Sequence, residues 1–340
     1  MQRPYLLCAL LGGLLTATNA VSAPPTSQAI RASVQKSLGL LERAADEFIV
    51  HRDCFSCHHQ ALPVMALTMA KEKGYAIKEE VLTRQIQHTA RFFDNNRKKF
   101  LEKAGTGGGV DTAGYGLLTL QTGGQAANPT TDAVIEYLLH RVKGNNYFAC
   151  SSERPPAEVS SITTTYLGLN GLKHYGSQAK QKEIEEARER IRGWLRSQPS
   201  GDTEDRVFRL KILDLLAAQP NEKAAAIRSL LRIQREDGGW PQNEWMESDA
   251  YATGSVLVTL RQLGALEPAD PAYERAVKWL VRDQLSDGSW KVESWSKPFQ
   301  LYFESGFPHG KDQWISCTAT SWAAMALMQA AQDLDKVGKK

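Results

Sequence analysis

Apolar residues along this chain fall into two kinds of helix-length segment that alternate. In Ile30 to Phe48, Val81 to Arg97, Thr131 to Val142, Ile184 to Arg196, Lys223 to Ile233 and Tyr273 to Arg282, apolar positions recur on one side and charges fill the other. That pattern predicts helices with one buried stripe and one solvated face. In His59 to Gly74, Thr112 to Gly124, Thr163 to Gly176, Val207 to Pro220, Asp249 to Gly264 and Thr318 to Ala331, small, hydroxylated and apolar residues cover most of the surface. Such segments read as helices buried on all sides that approach their neighbours closely. Amphipathic and buried helices alternating at intervals of roughly 45 to 70 residues predict a helical-hairpin repeat, and six hairpins can close into a ring. The fold class expected is therefore all-α, a single ring-forming domain of six inner and six outer helices over residues 24–340.

Two hairpins share a sharper signature. Ala276 to Gln284 followed by Asp287-Gly288-Ser289-Trp290 is matched by Ala226 to Gln234 followed by Asp237-Gly238-Gly239-Trp240, and Arg190 to Gln198 is a third copy without the Asp-Gly-x-Trp turn. The glycine is expected to end the outer helix in the left-handed conformation, the glutamine amide to bond the exposed helix-end groups, and the tryptophan to pack on the turn so fixed. This signature resembles the Gln-Trp repeat of the squalene-hopene and oxidosqualene cyclases, whose relatives include the protein prenyltransferase β subunits. The resemblance implies an α6/α6 toroid, and implies as an alternative function a non-redox enzyme binding a prenyl or polycyclic lipid in its lumen. The acid motif of the cyclases is reduced here to Glu247-Ser248-Asp249-Ala250, in which Asp249 remains and Ala250 stands where a paired carboxylate would be. The zinc site of the prenyltransferases lacks its histidine in the matching stretch Trp314 to Thr318.

Ahead of the repeats the chain carries a different signal. Arg3, an apolar run from Leu6 to Thr16 and the small residues Ala20 and Ala23 read as a secretory leader over residues 1–23, removed together with Cys8. No long apolar segment follows, so a membrane span is not expected, and the chain is assigned to the periplasm or to secretion. In that setting Cys54-Phe55-Ser56-Cys57-His58 reads as a C-x-x-C-H attachment site for one covalent c-type haem. On one helical turn both thiols would face the haem vinyl groups while His58 ligates the iron. A Cys54–Cys57 disulfide and half of a zinc site are the competing readings.

Parallel inner helices would open their N-terminal ends on a common mouth. That mouth is expected to hold Cys54, Cys57, His58 and His59, with Asp111, Cys150, Arg154, Glu158, Asp205, Asp249, Tyr251, His309 and Cys317. His309, on a Gly/Pro loop, is the first choice for a distal iron ligand or acid/base group, and Met65 the second. Arg154 is expected to bind the cofactor or substrate, with Asp249, Glu158 and His309 in catalytic roles. Helix capping is the plain alternative for Asp111, Glu158 and Asp249, and a Cys150–Cys317 disulfide is a further alternative. With 41 basic and 38 acidic side chains and no basic tract interleaved with aromatics, nothing points to nucleic acid. The function expected is electron transfer or haem-dependent oxidation, with a redox protein or a small apolar, lipid-like substrate as partner; a haem-free toroid that displays its loops to a partner is a further alternative.

Overall fold

The computed structural model describes residues 25–298 and 301–337. The expected leader and Cys8 lie outside the described residues. Among the described residues there are twelve α-helices and no strand. The outer set comprises α1 (Ser27–His51), α3 (Glu79–Leu101), α5 (Pro129–Asn145), α7 (Gln181–Ser197), α9 (Pro220–Leu231) and α11 (Pro271–Asp283). The inner set comprises α2 (Leu62–Glu72), α4 (Gly109–Thr122), α6 (Ser161–Tyr175), α8 (Thr203–Leu215), α10 (Ala250–Gln262) and α12 (Gln313–Val337).

Burial follows the sequence pattern. In α7 only Ile184, Ala187, Ile191 and Leu195 are buried, one stripe at helical spacing, whereas in α10 every residue from Ala250 to Leu260 is buried. Each inner helix packs on the next, α2 on α4 and so on to α10 on α12, and α12 returns to α2, which closes the toroid. Small residues permit the close approach. A Cβ on Gly254 of α10 would stand 2.7 Å from the backbone of α12 at Trp322 and Ala323.

The two Asp-Gly-x-Trp turns are built alike. Trp240 and Trp290 are fully buried and donate their indole N–H to Leu230 O (2.8 Å) and Leu280 O (2.9 Å), in the last turns of α9 and α11. Gly238 (φ 98°) and Gly288 (φ 95°) take the left-handed conformation inside the turn, several residues beyond the helix end. Each glutamine donates to its turn glycine and also to the following outer helix, Gln234 to Ala272 O (2.8 Å) and Gln284 to Ser33 O (3.1 Å). Gln284 thus ties α11 to α1 across the seam of the ring. Ser27 Oγ and Arg31 reinforce that seam by donating to Asp335, at 2.5 and 2.6 Å.

Candidate functional site

Among the described residues, only the first hairpin enters its inner helix through a widened turn. Cys57–Ala61 forms a π-helical turn, with Ala61 N bonding back to Ser56 O at 3.2 Å, before α2 begins. Such turns often mark sites where side chains must be re-aimed. The C-x-x-C-H run therefore does not lie on a single α-turn as expected. Cys54 sits exposed in the turn after α1, while Cys57 and His58 are buried in the π-turn. All three still line a cavity of about 600 Å³ together with Asp111, Arg154 and Glu158. A second cavity of about 280 Å³ shares His58 and Arg154 and adds His59, Gln313 and Trp314.

Hydrogen bonds fix the tautomers of the two adjacent histidines. The Gln313 amide donates to Phe303 O (2.6 Å), so its oxygen is the atom that accepts from Ser305 N (2.9 Å) and Ser305 Oγ (2.5 Å). With its proton committed to Gln313, Ser305 Oγ accepts from His59 Nε2–H at 2.7 Å. His59 Nδ1 then carries the lone pair and accepts from His58 Nδ1–H. His58 is left with a bare Nε2, to which Arg154 Nη1 donates across 3.2 Å. Both rings are neutral, because burial, helped by the Arg154 charge, pushes His58 well below the usual histidine range and His59 down to about 3. A neutral imidazole with Nδ1–H held and Nε2 unprotonated is the form in which histidine ligates a metal. Phe48 stacks on His59 (5.4 Å) and Trp314 stands edge-on to His58 (5.9 Å), which fixes the planes of the rings.

Carboxylates line the same space. Glu158 Oε1 accepts from Cys57 Sγ (2.6 Å), and Oε2 accepts from Arg154 Nε (2.8 Å) and Nη2. Backbone bonds between Arg154 and Glu158, at 2.8 and 2.9 Å, hold the two in register. Arg154 also lies over the Trp314 ring, 5.7 Å from its centroid. Burial, and after it the Glu158 charge, pushes the Cys57 thiol well above its usual range, so the sulfur stays protonated. Asp111 accepts from Thr164 Oγ1 (2.5 Å) and Cys150 Sγ (3.2 Å), and burial raises it to about 6. The four described cysteines, Cys54, Cys57, Cys150 and Cys317, are all free, so neither disulfide reading is realised. Among the described residues no group of three or more His, Cys, Asp or Glu is arranged to hold a metal ion.

Three expected site residues are placed elsewhere. His309 is absent from the lining of both His58 cavities. Because Ser289 Oγ donates to Asp287 (2.7 Å), it accepts from His309 Nε2 at 2.9 Å, so His309 buttresses the second Asp-Gly-x-Trp turn. Asp249 caps α10, its Oδ1 accepting from Ala252 N (3.0 Å), and it too lies outside both cavities. Met65 is half-buried against the core and lines neither cavity. Conversely, the acid that enters the ring from α8 is Glu204, next to the expected Asp205. Glu204 accepts from Tyr251 OH and Thr163 Oγ1, both at 3.0 Å, and burial pushes it well above the carboxylate range. Asp205 instead accepts from Ser160 Oγ (2.5 Å) and Gly201 N (2.9 Å). Nothing in the run Thr203-Glu204-Asp205 distinguishes these two acids; the phase of α8 does. The role of Ser305 and Gln313 carried no sequence signal either, whereas the paired His58-His59 at the head of an apolar helix did.

Comparison with known proteins bears on the ring. The family model for the squalene-hopene cyclase C-terminal domain matches residues 192–339, the part that holds both Asp-Gly-x-Trp turns. A probable squalene–hopene cyclase of Sinorhizobium fredii is 33% identical over 109 residues, which is 32% of this chain and 16% of that protein. Lanosterol synthase of Aspergillus fumigatus is 30% identical over 108 residues, 32% of this chain and 13% of its own length. The matched region thus spans less than a fifth of these relatives. The type II terpene cyclase MstE from Scytonema superposes with a TM-score of 0.58 at 14% identity, over 91% of this chain and all of that one. MstE has also been solved in complex with geranylgeranyl dihydroxybenzoate (TM-score 0.57, 12% identity, 90% of this chain and 98% of that one). The chain is an all-α toroid of the terpene cyclase-like kind.

Proposed function

We propose that this toroid carries one covalent c-type haem at its mouth, attached through Cys54 and Cys57 and ligated by His58 Nε2. It would act in electron transfer or haem-dependent oxidation in the periplasm or outside the cell. The observation that carries the reading is the unprotonated Nε2 of His58, which accepts from the Arg154 guanidinium in a cavity shared with both cysteines. The cavity volume lies within the range of about 300–1,000 Å³ usual for cofactor sites. When bound, haem c would supply a one-electron couple and, on an open face, activation of an oxidant. The chain's own residues would do the rest. The Gln313–Ser305–His59 chain holds the His58 tautomer, and Glu158 keeps Arg154 charged and oriented. Arg154 and Lys297, both lining the cavity, suit the carboxylates of a haem or of an acidic substrate. Arg154 would give up His58 and keep Glu158.

A non-redox reading has its own support. The cyclase relatives and the lipid-bound state of MstE favour a ring that binds a prenyl or polycyclic lipid, and they carry no sign of haem. In that reading the acid would be Glu204, which burial keeps protonated inside the ring, rather than Asp249.

Expression in a host with cytochrome c maturation separates the two. Colour that stays with the protein after acid–acetone extraction, and is lost in Cys54→Ser/Cys57→Ser, is the expected result. A colourless wild-type chain that binds a geranylgeranyl lipid would replace it with the second reading.

A further inference from the structure

Two of the largest exposed side chains of the molecule are tryptophans that line one groove. Trp245 is 83% exposed and Trp295 51% exposed, and both border a cleft of about 930 Å³ at the start of α8. An exposed indole normally folds down onto apolar neighbours, because each buries a large area when covered. Here both are held out. Arg235 Nη2 donates to Glu244 O (3.0 Å) and Met246 O (2.7 Å), and Asn243 Oδ1 accepts from Trp245 N (3.1 Å), which clamps the loop on either side of Trp245. The Trp295 indole N–H is committed to Gln242 Oε1 at 2.9 Å. The Trp295 ring and the loop that presents Trp245 are therefore preorganised, which lowers the ordering cost for a ligand that stacks on them.

The chemistry between the rings narrows the ligand. Ile233 and Pro241 are the apolar side chains beside the two tryptophans, and five carboxylates, Glu244 and Glu247 among them, outnumber the guanidiniums of Arg206 and Arg235. A protein hot spot would surround its tryptophans with apolar contact. Single-stranded nucleic acid also stacks on aromatic rings but needs a basic channel for its phosphates. A pyranose chain fits both features, since its apolar C–H faces cover indoles while its rim of hydroxyls bonds carboxylates and guanidiniums. We propose that this groove binds a polysaccharide strand of neutral or amino-substituted sugars, stacked on Trp245 and Trp295.

The groove adjoins the His58 cavity. Ser294 and Ser296 line that cavity, whereas Trp295 between them lines the groove, so one short segment is the wall of both. A strand seated on Trp295 would lie beside the mouth of the candidate redox centre. Binding itself does not depend on haem and is tested without it.

The test is isothermal titration of the full chain with cellohexaose, xylohexaose and chitosan hexamer, with oligogalacturonate and single-stranded DNA as polyanionic controls. At least one of the three sugars is expected to bind and to change indole fluorescence. Trp245→Ala and Trp295→Ala should each weaken that binding about tenfold, Trp245→Ala without shifting the melting temperature, and Trp245→Phe should retain most of it. No binding of the three hexamers at millimolar concentration overturns the proposal. So does binding that is indifferent to both tryptophans, tighter binding of either polyanion, or tryptophan-dependent capture of a protein partner alone.

Discussion

The Asp-Gly-x-Trp turns and the Cys54–Gln60 entrance are equivalent places in the ring, each feeding an inner helix, yet they are built on opposite terms. At the turns the indoles and the glutamine amide nitrogens donate chiefly to backbone carbonyls. Trp240 and Trp290 bond the ends of α9 and α11, and the glutamines bond the next outer helix. At the entrance the helix is widened, two histidines share a proton-ordered chain, and a thiol, a carboxylate and a guanidinium are enclosed together. The first arrangement occurs twice and holds the ring. The second occurs once and concentrates chemistry where the first supplies rigidity. Repetition in this chain marks scaffold, and departure from the repeat marks the site.

The sharpest break between the two regions comes from truncating a turn tryptophan. Trp290→Ala removes a fully buried indole and its bond to Leu280, and should cost about 3–5 kcal/mol in urea denaturation. Cys54→Ser, at the exposed edge of the entrance, should leave stability within about 0.5 kcal/mol. In the haem reading it nevertheless removes one thioether. Equal losses in the two variants would erase the distinction between scaffold and site.

Within the entrance, Glu158→Gln leaves Arg154 largely buried without its carboxylate and should destabilise by about 3 kcal/mol. Arg154→Met on the same background should recover most of that loss, because the pair then leaves together. Failure of the second substitution to rescue would mean that Glu158 acts through Cys57 instead. At the seam, Gln284→Ala deletes the donor shared by Ser33 O and Gly288 O and should cost about 2 kcal/mol. The same change at Gln234, inside the ring, should match it if the two turns are equivalent.

The smallest effect depends on pH. Burial raises Asp249 from 3.8 to about 6, so the folded chain holds this proton after the unfolded chain has lost it. Stability from this residue is fully present below about pH 4 and declines as pH rises through 6. Asp249→Asn keeps an oxygen for the α10 cap and removes the charge. It should be indistinguishable from wild type at pH 4 and more stable by about 1–2 kcal/mol at pH 8. Equal melting curves at both pH values would show that the Asp249 proton is not linked to folding.

All twelve helices were legible in the sequence because their information is local. One-sided apolar spacing in Ile184, Ala187, Ile191 and Leu195 and all-round burial in Ala250 to Leu260 are different patterns before any contact is known. The repeated Gln and Asp-Gly-x-Trp were legible as turns for the same reason. The site was legible only at its centre. Cys54, Cys57 and His58 are neighbours in sequence and share a cavity, and Arg154 and Glu158 join them by topology. His309 was misplaced because a Gly/Pro loop does not encode which way it folds, and Ser289 captures its ring. The single α-turn expected for Cys54 to His58 failed because the π-turn begins only at Cys57.

The sequence by itself determined the alternation of helices, the turn motif that ties them into a ring, and a C-x-x-C-H run placed ahead of the first inner helix. Periodicity and short motifs suffice for these because each rests on residues within one or two turns of one another. Only the tertiary structure decided that Gln313 and Ser305, more than 240 residues along the chain, set the proton on His58. It likewise chose Glu204 over Asp205 for the interior and Trp295 as the wall between groove and cavity. Ring closure brings the last inner helix against the first and so sets the His58 proton, while the burial of Glu204 arises from the packing of α6, α8 and α10 around it.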